Sequence, residues 1–317
     1  MSFRILCAGS VCLDTVVRLG TDSFPKPGEL VPVPSLINAV GGCCGNSATA
    51  LARLGAADVR IAALIGDDAA GALALSSLEK AQVTGAMICP GQSTAHSVVL
   101  VGSEDRSFLY CPGVNEDLQL DECLSVLLSR PFDALLVTDP FLTHVGRTAL
   151  AELLSQARIQ GAVTALDLCW DPSGQWAEFT DGCWPYVDIA LANLEEARMV
   201  TGARDASHCA SYLCQAGASM AVIKMGAEGL LIRSADETLQ VAAQQVECQD
   251  PTGAGDWCNA GVVMGYLASR SAQVAAQWGS LAGASAVRTL GGSTATPLPE
   301  LTASLARYLT ATEEVSP

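Results

Sequence analysis

The residues best suited to chemistry lie together late in the chain: Asp250-Pro251-Thr252-Gly253-Ala254-Gly255-Asp256, followed by the apolar run Trp257 to Leu267. Two glycines around an alanine at the start of a helix leave successive backbone N–H groups open to approach. Such helix N-termini hold phosphate or other developing negative charge. Asp256, in the first turn, stands where a carboxylate accepts a proton beside that anion. A base next to a bound phosphoryl group is what transfer from phosphate to an alcohol requires, because the hydroxyl loses its proton as it attacks. Taken alone, a G-x-G-D string also fits a tight turn whose Asp caps a helix.

Other chemistry-bearing residues are scattered and individually ambiguous. Asn193-Leu194-Glu195-Glu196 follows an apolar stretch, and N-x-x-E is also a common helix start whose Glu caps its own N-terminus. Lys224 ends an apolar stretch and, alone, reads equally as a strand-end lysine in solvent. Gly226 and Gly229 beyond it allow close backbone approach. Asp14, at the end of the first apolar segments, is able to accept two hydroxyls or simply to make a turn, and Asn46 both donates and accepts.

The elements that must position these groups read as follows. Strands are predicted at Arg4 to Gly9, Val59 to Ile65, Ala134 to Thr138, Ala162 to Asp167, Val187 to Leu191, Met220 to Lys224 and Gly229 to Arg233. Helices are predicted at Gly45 to Gly55, Asp67 to Gln82 (with Leu73, Leu75 and Leu78), 120–129, 146–160, 194–201, 205–216, Ala254 to Ala268, Ala272 to Arg288 and Leu298 to Thr310. This alternation implies a mostly parallel sheet with helices on both faces. Residues 14–38 and 96–112 interrupt it. In the first, Pro25, Pro27, Gly28, Pro32 and Pro34 break any helix, and Leu30, Val31 and Val33 suggest edge-like strands. In the second, Ser97 to Val101 and Arg106 to Tyr110 suggest two strands joined by the polar turn Gly102-Ser103-Glu104-Asp105. Both read as an excursion that forms a small sheet over one end of the main body.

Composition narrows the function classes. The chain has 317 residues, half of them hydrophobic and only 16% charged, which supports a large core without disulfide staples. With 17 basic against 33 acidic residues the net charge is −16. So negative a surface repels phosphate backbones and anionic lipid heads, which argues against nucleic-acid and membrane roles. The 13 cysteines include no C-x-x-C pair, which fits free thiols in a reducing compartment better than a disulfide scaffold or a zinc module. The apolar stretch Ile5 to Leu13 contains Gly9 and Ser10, ends at Asp14 and lacks a following cleavage-like site. A soluble, cytoplasmic protein is the expectation.

Taken together, Asp250 to Asp256 with Gly261, and Gly41-Gly42-Cys43-Cys44-Gly45-Asn46-Ser47-Ala48 running to Leu54-Gly55, resemble the C- and N-terminal signatures of the ribokinase-like, or PfkB, carbohydrate kinases. Between them, Gly66-Asp67-Asp68, Pro112-Gly113-Val114-Asn115, Asn193-Leu194-Glu195-Glu196 and Lys224-Met225-Gly226-Ala227-Glu228-Gly229 are also similar to the family. The resemblance implies a single domain over 1–317, a three-layer α/β/α fold with a mostly parallel central sheet, and a small β-sheet lid from 14–38 and 96–112. It gives Asp256 the role of general base and makes Gly253, Ala254 and Gly255 the anion hole. Asp14, Gly41, Gly42 and Asn46 fall on the sugar side. Asn193, Lys224, Gly226 and Gly229 fall on the ATP side, with Leu281 to Ser285 as the adenine wall. Glu196 and Asn193 would hold hydrated Mg2+, and Asp250 and Thr252, with the loop Val287 to Ser293, match the stretches that hold a monovalent cation such as K+ in many relatives. Pairing through the lid would make a homodimer.

Departures from the family bear on the acceptor. Asp167-Leu168-Cys169-Trp170-Asp171 stands where many fructokinase-like relatives have D-x-N-x-R, so the bidentate cation for an acidic sugar is missing. A neutral sugar is therefore the expected acceptor, with a nucleoside the alternative in the same family. Cys258 fills a position usually held by Phe, a change of packing, and Asp139 stands near a glutamate of ribokinase-like chains. Two readings from other classes are weaker. A non-catalytic sugar-binding module has no need of Asp256, and a dinucleotide oxidoreductase lacks its G-x-G-x-x-G after the first strand.

Overall fold

The computed structural model describes residues 3–20, 26–102 and 105–311. Pro25 and the Ser103-Glu104 portion of the polar turn lie outside them. In chain order, β1 (Arg4–Ala8), β2 (Cys12–Arg18) and β3 (Ser35–Gly41) precede α1 (Cys43–Arg53). Next come β4 (Asp58–Ala62), β5 (Leu64–Gly66), α2 (Ala69–Lys80), β6 (Val83–Thr84), β7 (Met87–Cys89), β8 (Ala95–Val101), β9 (Arg106–Cys111) and α3 (Leu120–Leu127). The middle holds β10 (Ala134–Thr138), α4 (His144–Thr148), α5 (Leu150–Ile159), β11 (Val163–Asp167), α6 (Ala177–Thr180), β12 (Ile189–Asn193), α7 (Leu194–Thr201) and α8 (Ala206–Ala216). β13 (Met220–Lys224), β14 (Leu230–Ser234), β15 (Thr238–Val241), α9 (Ala254–Ser269), α10 (Ala272–Ala286) and α11 (Pro299–Ala311) complete the chain.

Short apolar runs become central strands because both faces of the sheet are covered. The nine-stranded sheet has the order β15-β14-β13-β12-β11-β10-β1-β4-β6, parallel from β13 through β6 and antiparallel at β14 and β15. Successive side chains alternate between two cores. Ile5, Cys7, Leu136 and Leu191 pack with residues of α1, α2, α9 and α10. Leu6, Ala8, Leu135 and Ala190 pack with residues of α3, α5 and α8 on the opposite face. A separate four-stranded sheet, β3-β2-β8-β9, is far thinner, with Val16, Val99 and Val101 as its buried cluster. Among the described residues no helix is long and apolar enough to cross a membrane.

Several predicted boundaries shift for physical reasons. Leu30, Val31 and Val33 lie outside any strand, and Leu30 is highly exposed. Pro32 and Pro34 lack the N–H a ladder needs, so β3 starts only at Ser35. The apolar run Val59 to Ile65 is two strands: β4 stays with β1 as far as Ala62, and β5 leaves to pair with β7. Apolar patterning does not encode such a change of partner. The helix predicted over 146–160 starts at His144, capped by the Thr143 hydroxyl, and breaks at Ala149, whose φ of −142° is not helical. Leu73, one of the three leucines noted in the predicted helix, is exposed, and the buried face of α2 is Gly71, Ala74 and Leu78.

Candidate active site

Parallel strands end at one edge of the sheet, and ligand sites of open α/β folds form outside those carboxyl ends. A cavity of about 890 Å³ lies there. Asp167 ends β11, Asn193 ends β12 and Lys224 ends β13, and all three line it with the first turn of α9. The small sheet closes the cavity from the other side through Asp14, Ser97, Arg106, Phe108 and Tyr110.

At its base, Gly253 takes φ 76°, and a Cβ there would lie 2.5 Å from the Gly292 Cα, so only glycine starts this helix without strain. The Ala254 N–H makes a long bond to the Pro251 carbonyl at 3.3 Å. That leaves, among the described residues, the Gly255 and Asp256 amides of the turn without a carbonyl partner. Asp256 is buried and accepts a 2.9 Å bond from the Asn46 amide. Burial first, and then the nearby Asp167 charge, hold its pKa well above the ordinary carboxylate range. A carboxylate so raised takes up a proton readily, as a base should.

Lys224 is not a solvent lysine. Its Nζ donates to Asp167 Oδ1 at 2.7 Å and to Asn259 Oδ1 at 3.0 Å, directly beneath Gly255. Burial alone would lower its ammonium pKa, but Asp167 and Glu196 push it above the usual value. Asn193 and Glu196 form the reciprocal cap that the sequence left open: Glu196 N donates to Asn193 Oδ1 at 2.8 Å, and Asn193 N donates to Glu196 Oε2 at 2.8 Å. Glu196 also faces the cavity, and burial raises its carboxyl to about 7 despite the favourable Lys224 charge. Each of its oxygens accepts one bond from Asn193 and keeps lone pairs, enough to hold the waters that Mg2+ retains. The donor set fits that ion.

Behind the turn, Asp250 is fully buried and accepts from the Thr252 and Gly291 amides at 2.9 and 2.8 Å. Among the described residues the buried Thr252 Oγ1 has no hydrogen-bond partner. An orphaned oxygen beside a buried carboxylate is what a monovalent cation would use.

The side expected to hold an acceptor departs more from expectation. Asp14 faces the cavity, takes the Cys12 thiol at 3.1 Å, and has its pKa raised by burial to about 6. Gly41 is not in the cavity wall. A Cβ on it would lie 2.1 Å from Asp14 Oδ2, so its bareness admits the Asp14 carboxylate. Gly42 lines the cavity at the N-terminus of α1. Asn46 holds Asp256, and among the described residues its buried Oδ1 has no partner. Gly226 lines the cavity with nothing within 4 Å of its missing Cβ, whereas Gly229, also in the wall, makes room for the Val241 carbonyl. Gly283 and Ala284 of α10 form the far wall.

Residues the sequence placed loosely or missed complete the site. Asp139, in a left-handed conformation after β10, accepts from the Ser10 and Cys43 amides at 3.1 and 3.3 Å and from the Ser10 hydroxyl. It ties the turn after β1 to the start of α1. Asp171, at the missing-arginine position, is consumed by the Ser173 and Trp176 amides. Arg106, Phe108 and Tyr110 alternate along β9 and share the face toward the cavity. Period-two spacing makes them a set, but only the docking of the small sheet selects their face. Among the described residues the buried Arg106 Nε has no partner, and the Arg106 charge reaches Glu196.

The family model for pfkB family carbohydrate kinases matches residues 3–300. A ribokinase of Haemophilus influenzae is 27% identical over 300 residues, 91% of this chain and 94% of its own. An adenosine kinase from Sinorhizobium meliloti superposes with a TM-score of 0.81, at 22% identity, over all of both chains. An Arabidopsis thaliana ribokinase complexed with ribose and ATP gives 0.78 at 20% identity, over 96% of this chain and 99% of that one.

Proposed function

We propose that this chain, which belongs to the pfkB family of carbohydrate kinases, transfers the terminal phosphoryl group of ATP to a hydroxyl of a small neutral sugar. One observation carries the reading: a buried, proton-seeking Asp256 lies beside open helix-N-terminal amides, in a cavity whose far side offers hydroxyl partners. Asp256 removes the acceptor proton. The Gly253–Gly255 turn steadies the charge on the migrating group, where one such donor is worth roughly 3 kcal/mol in other enzymes. Asn46 fixes the Asp256 carboxylate, and Asp14 orients the acceptor. Glu196 and Asn193 would hold Mg2+ through water; when bound, the ion offsets the repulsion among phosphate oxygens. Asp250 and Thr252 would hold K+. Arg106 brings a lid cation to the phosphate end, and closure of the small sheet would exclude water.

The missing cation supports a neutral acceptor, because Asp171 is turned into its own loop. A nucleoside is the second reading, favoured by the exposed rings of Trp170 and Phe108 at the cavity wall. Assembly as a homodimer through the small sheet is supported by the exposed Leu36 and Leu109 and the open edge of β9; sedimentation as a monomer at all concentrations would refute it. The deciding experiment is ADP release with neutral sugars, acidic sugars and nucleosides. Turnover with a neutral sugar is expected. Turnover only with another class overturns the acceptor, and no turnover with any overturns the kinase reading.

A further inference from the structure

Two thiols the transfer reaction does not use face each other beside its base. Cys43, the first residue of α1, and Cys169, just beyond β11, both line the cavity, with Sγ atoms 3.5 Å apart. Cys169 reaches this position from a left-handed backbone at φ 56°, uncommon for a residue with a side chain. The Cys43 sulfur and one carboxylate oxygen each of Asp167 and Asp256 lie within 4.8 Å of one another. Lys224 bonds Asp167 through Oδ1, and Asn46 bonds Asp256 through Oδ2, so each carboxylate keeps its other oxygen.

This donor set differs from that of Asn193 and Glu196. Oxygen ligands suit Mg2+, whereas paired sulfurs select zinc-like ions. Tetrahedral Zn2+ with bonds of about 2.3 Å to sulfur sets its two sulfurs about 3.8 Å apart. The thiol pair already stands near that spacing. Cys169 lies outside that 4.8 Å set and adjoins it through Cys43, and the potential anions gathered around the Cys43 thiol resist the loss of its proton. The opposed Cys169 thiol, then burial and Asp256, hold Cys43 protonated, and a dication would reverse that balance by displacing the protons.

We propose that Cys43 and Cys169, with Asp167 and Asp256, form a binding site for a thiophilic divalent cation, and that its occupation stops phosphoryl transfer. The inhibitory half rests on Asp256 as the base, since a metal-bound carboxylate cannot take the acceptor proton. The binding half does not rest on it. Occupation tightens as pH rises, because the thiols must ionise.

The test uses the full chain with one equivalent of Co2+, whose thiolate charge-transfer absorption reports sulfur ligation. A band is expected for the wild type and for Cys248→Ser, which removes an exposed thiol on the same wall. Cys43→Ser and Cys169→Ser should each lose it. Zn2+ should inhibit turnover in competition with the acceptor, at constant excess Mg2+. Its apparent affinity should fall in each variant by at least the roughly 10- to 100-fold that losing an outer-shell partner costs, read as the ratio of inhibited to uninhibited rate. A band of equal strength in either variant overturns the site. A cysteine-dependent band with no effect of Zn2+ on turnover overturns its control of the reaction. Such a band in a chain that phosphorylates nothing would sink the kinase reading and leave the metal site standing.

Discussion

The two ends of the cavity are built on opposite plans. At the proposed phosphate end, Gly253 to Asp256, Lys224, Asn193 and Glu196 sit at strand ends and helix starts, where Asn46 holds Asp256, Asp167 and Asn259 hold Lys224, and Asn193 and Glu196 hold each other. At the proposed acceptor end, Asp14, Ser97, Phe108 and Tyr110 sit on a sheet whose buried cluster is three valines. Rigid placement is what charge stabilisation needs, since donors must already be aimed when charge develops. A thin sheet instead allows opening and closing around a substrate. The contrast teaches that changes at the first end should act on turnover, and changes at the second on acceptor binding.

The strongest way to break that contrast is Asp256→Asn. It should fold normally by circular dichroism and lose at least ~10²- to 10⁴-fold in kcat. Because the carboxylate is costly to bury, its melting temperature should equal or exceed that of the wild type. Near-normal ADP release would remove the base from the mechanism.

Glu196→Gln should cost on the order of 10- to 100-fold and demand more Mg2+ for half-maximal rate. It also carries a pH signature. Glu196 near 7 and Asp14 near 6 both gain protons as pH falls, and each loses the charge its partner needs. The acid limb of kcat/KM should thus reach pH 6 to 7 or higher, because Asp256, also raised, must lose its proton before it can act. In Glu196→Gln the break near 7 should vanish; an unchanged limb would exclude Glu196 from the reaction.

How much of this was readable beforehand follows the same division. The phosphate end was legible because its parts are contiguous: seven residues from Asp250 to Asp256, and four from Asn193 to Glu196. The acceptor end is gathered from β2, α1, β9 and the turns after β10 and β11, so no local spacing announces it. Cys169 reaches the cavity through a left-handed backbone that its residue type does not signal. Gly41 was expected on the sugar side, and its missing side chain makes room for the Asp14 carboxylate. Central strands were readable from their unbroken apolar runs. The split of Val59 to Ile65 was not, because its cause is a change of pairing partner.

Asp14→Asn sharpens the contrast from the binding side. The acceptor KM should rise about tenfold or more while kcat changes little. Stability should move the other way. A carboxyl raised from its ordinary value to about 6 binds protons more tightly in the folded state, so its contribution becomes unfavourable as pH rises through that range. Above pH 7 the ligand-free variant should be more stable than the wild type by up to about 3 kcal/mol, and below pH 4 the difference should disappear. Thermal melts at both pH values check the sign.

Trp170→Ala should have the smallest effect, and its size discriminates between acceptors. The ring is 56% exposed and meets Trp176 edge-on at 5.2 Å, so its removal costs little folding energy. A neutral sugar reads the site through Asp14 and the polar floor, and its KM should change less than about threefold, within what a peripheral contact supplies. A base stacked on the indole is worth roughly 1–3 kcal/mol, so a nucleoside acceptor would lose between about 5- and 150-fold in kcat/KM. Measuring both acceptors on this one variant therefore asks whether the wall beyond β11 is a boundary or a platform. The neutral-sugar reading requires a boundary, with Phe108 and Trp170 shielding the cavity without gripping what enters it.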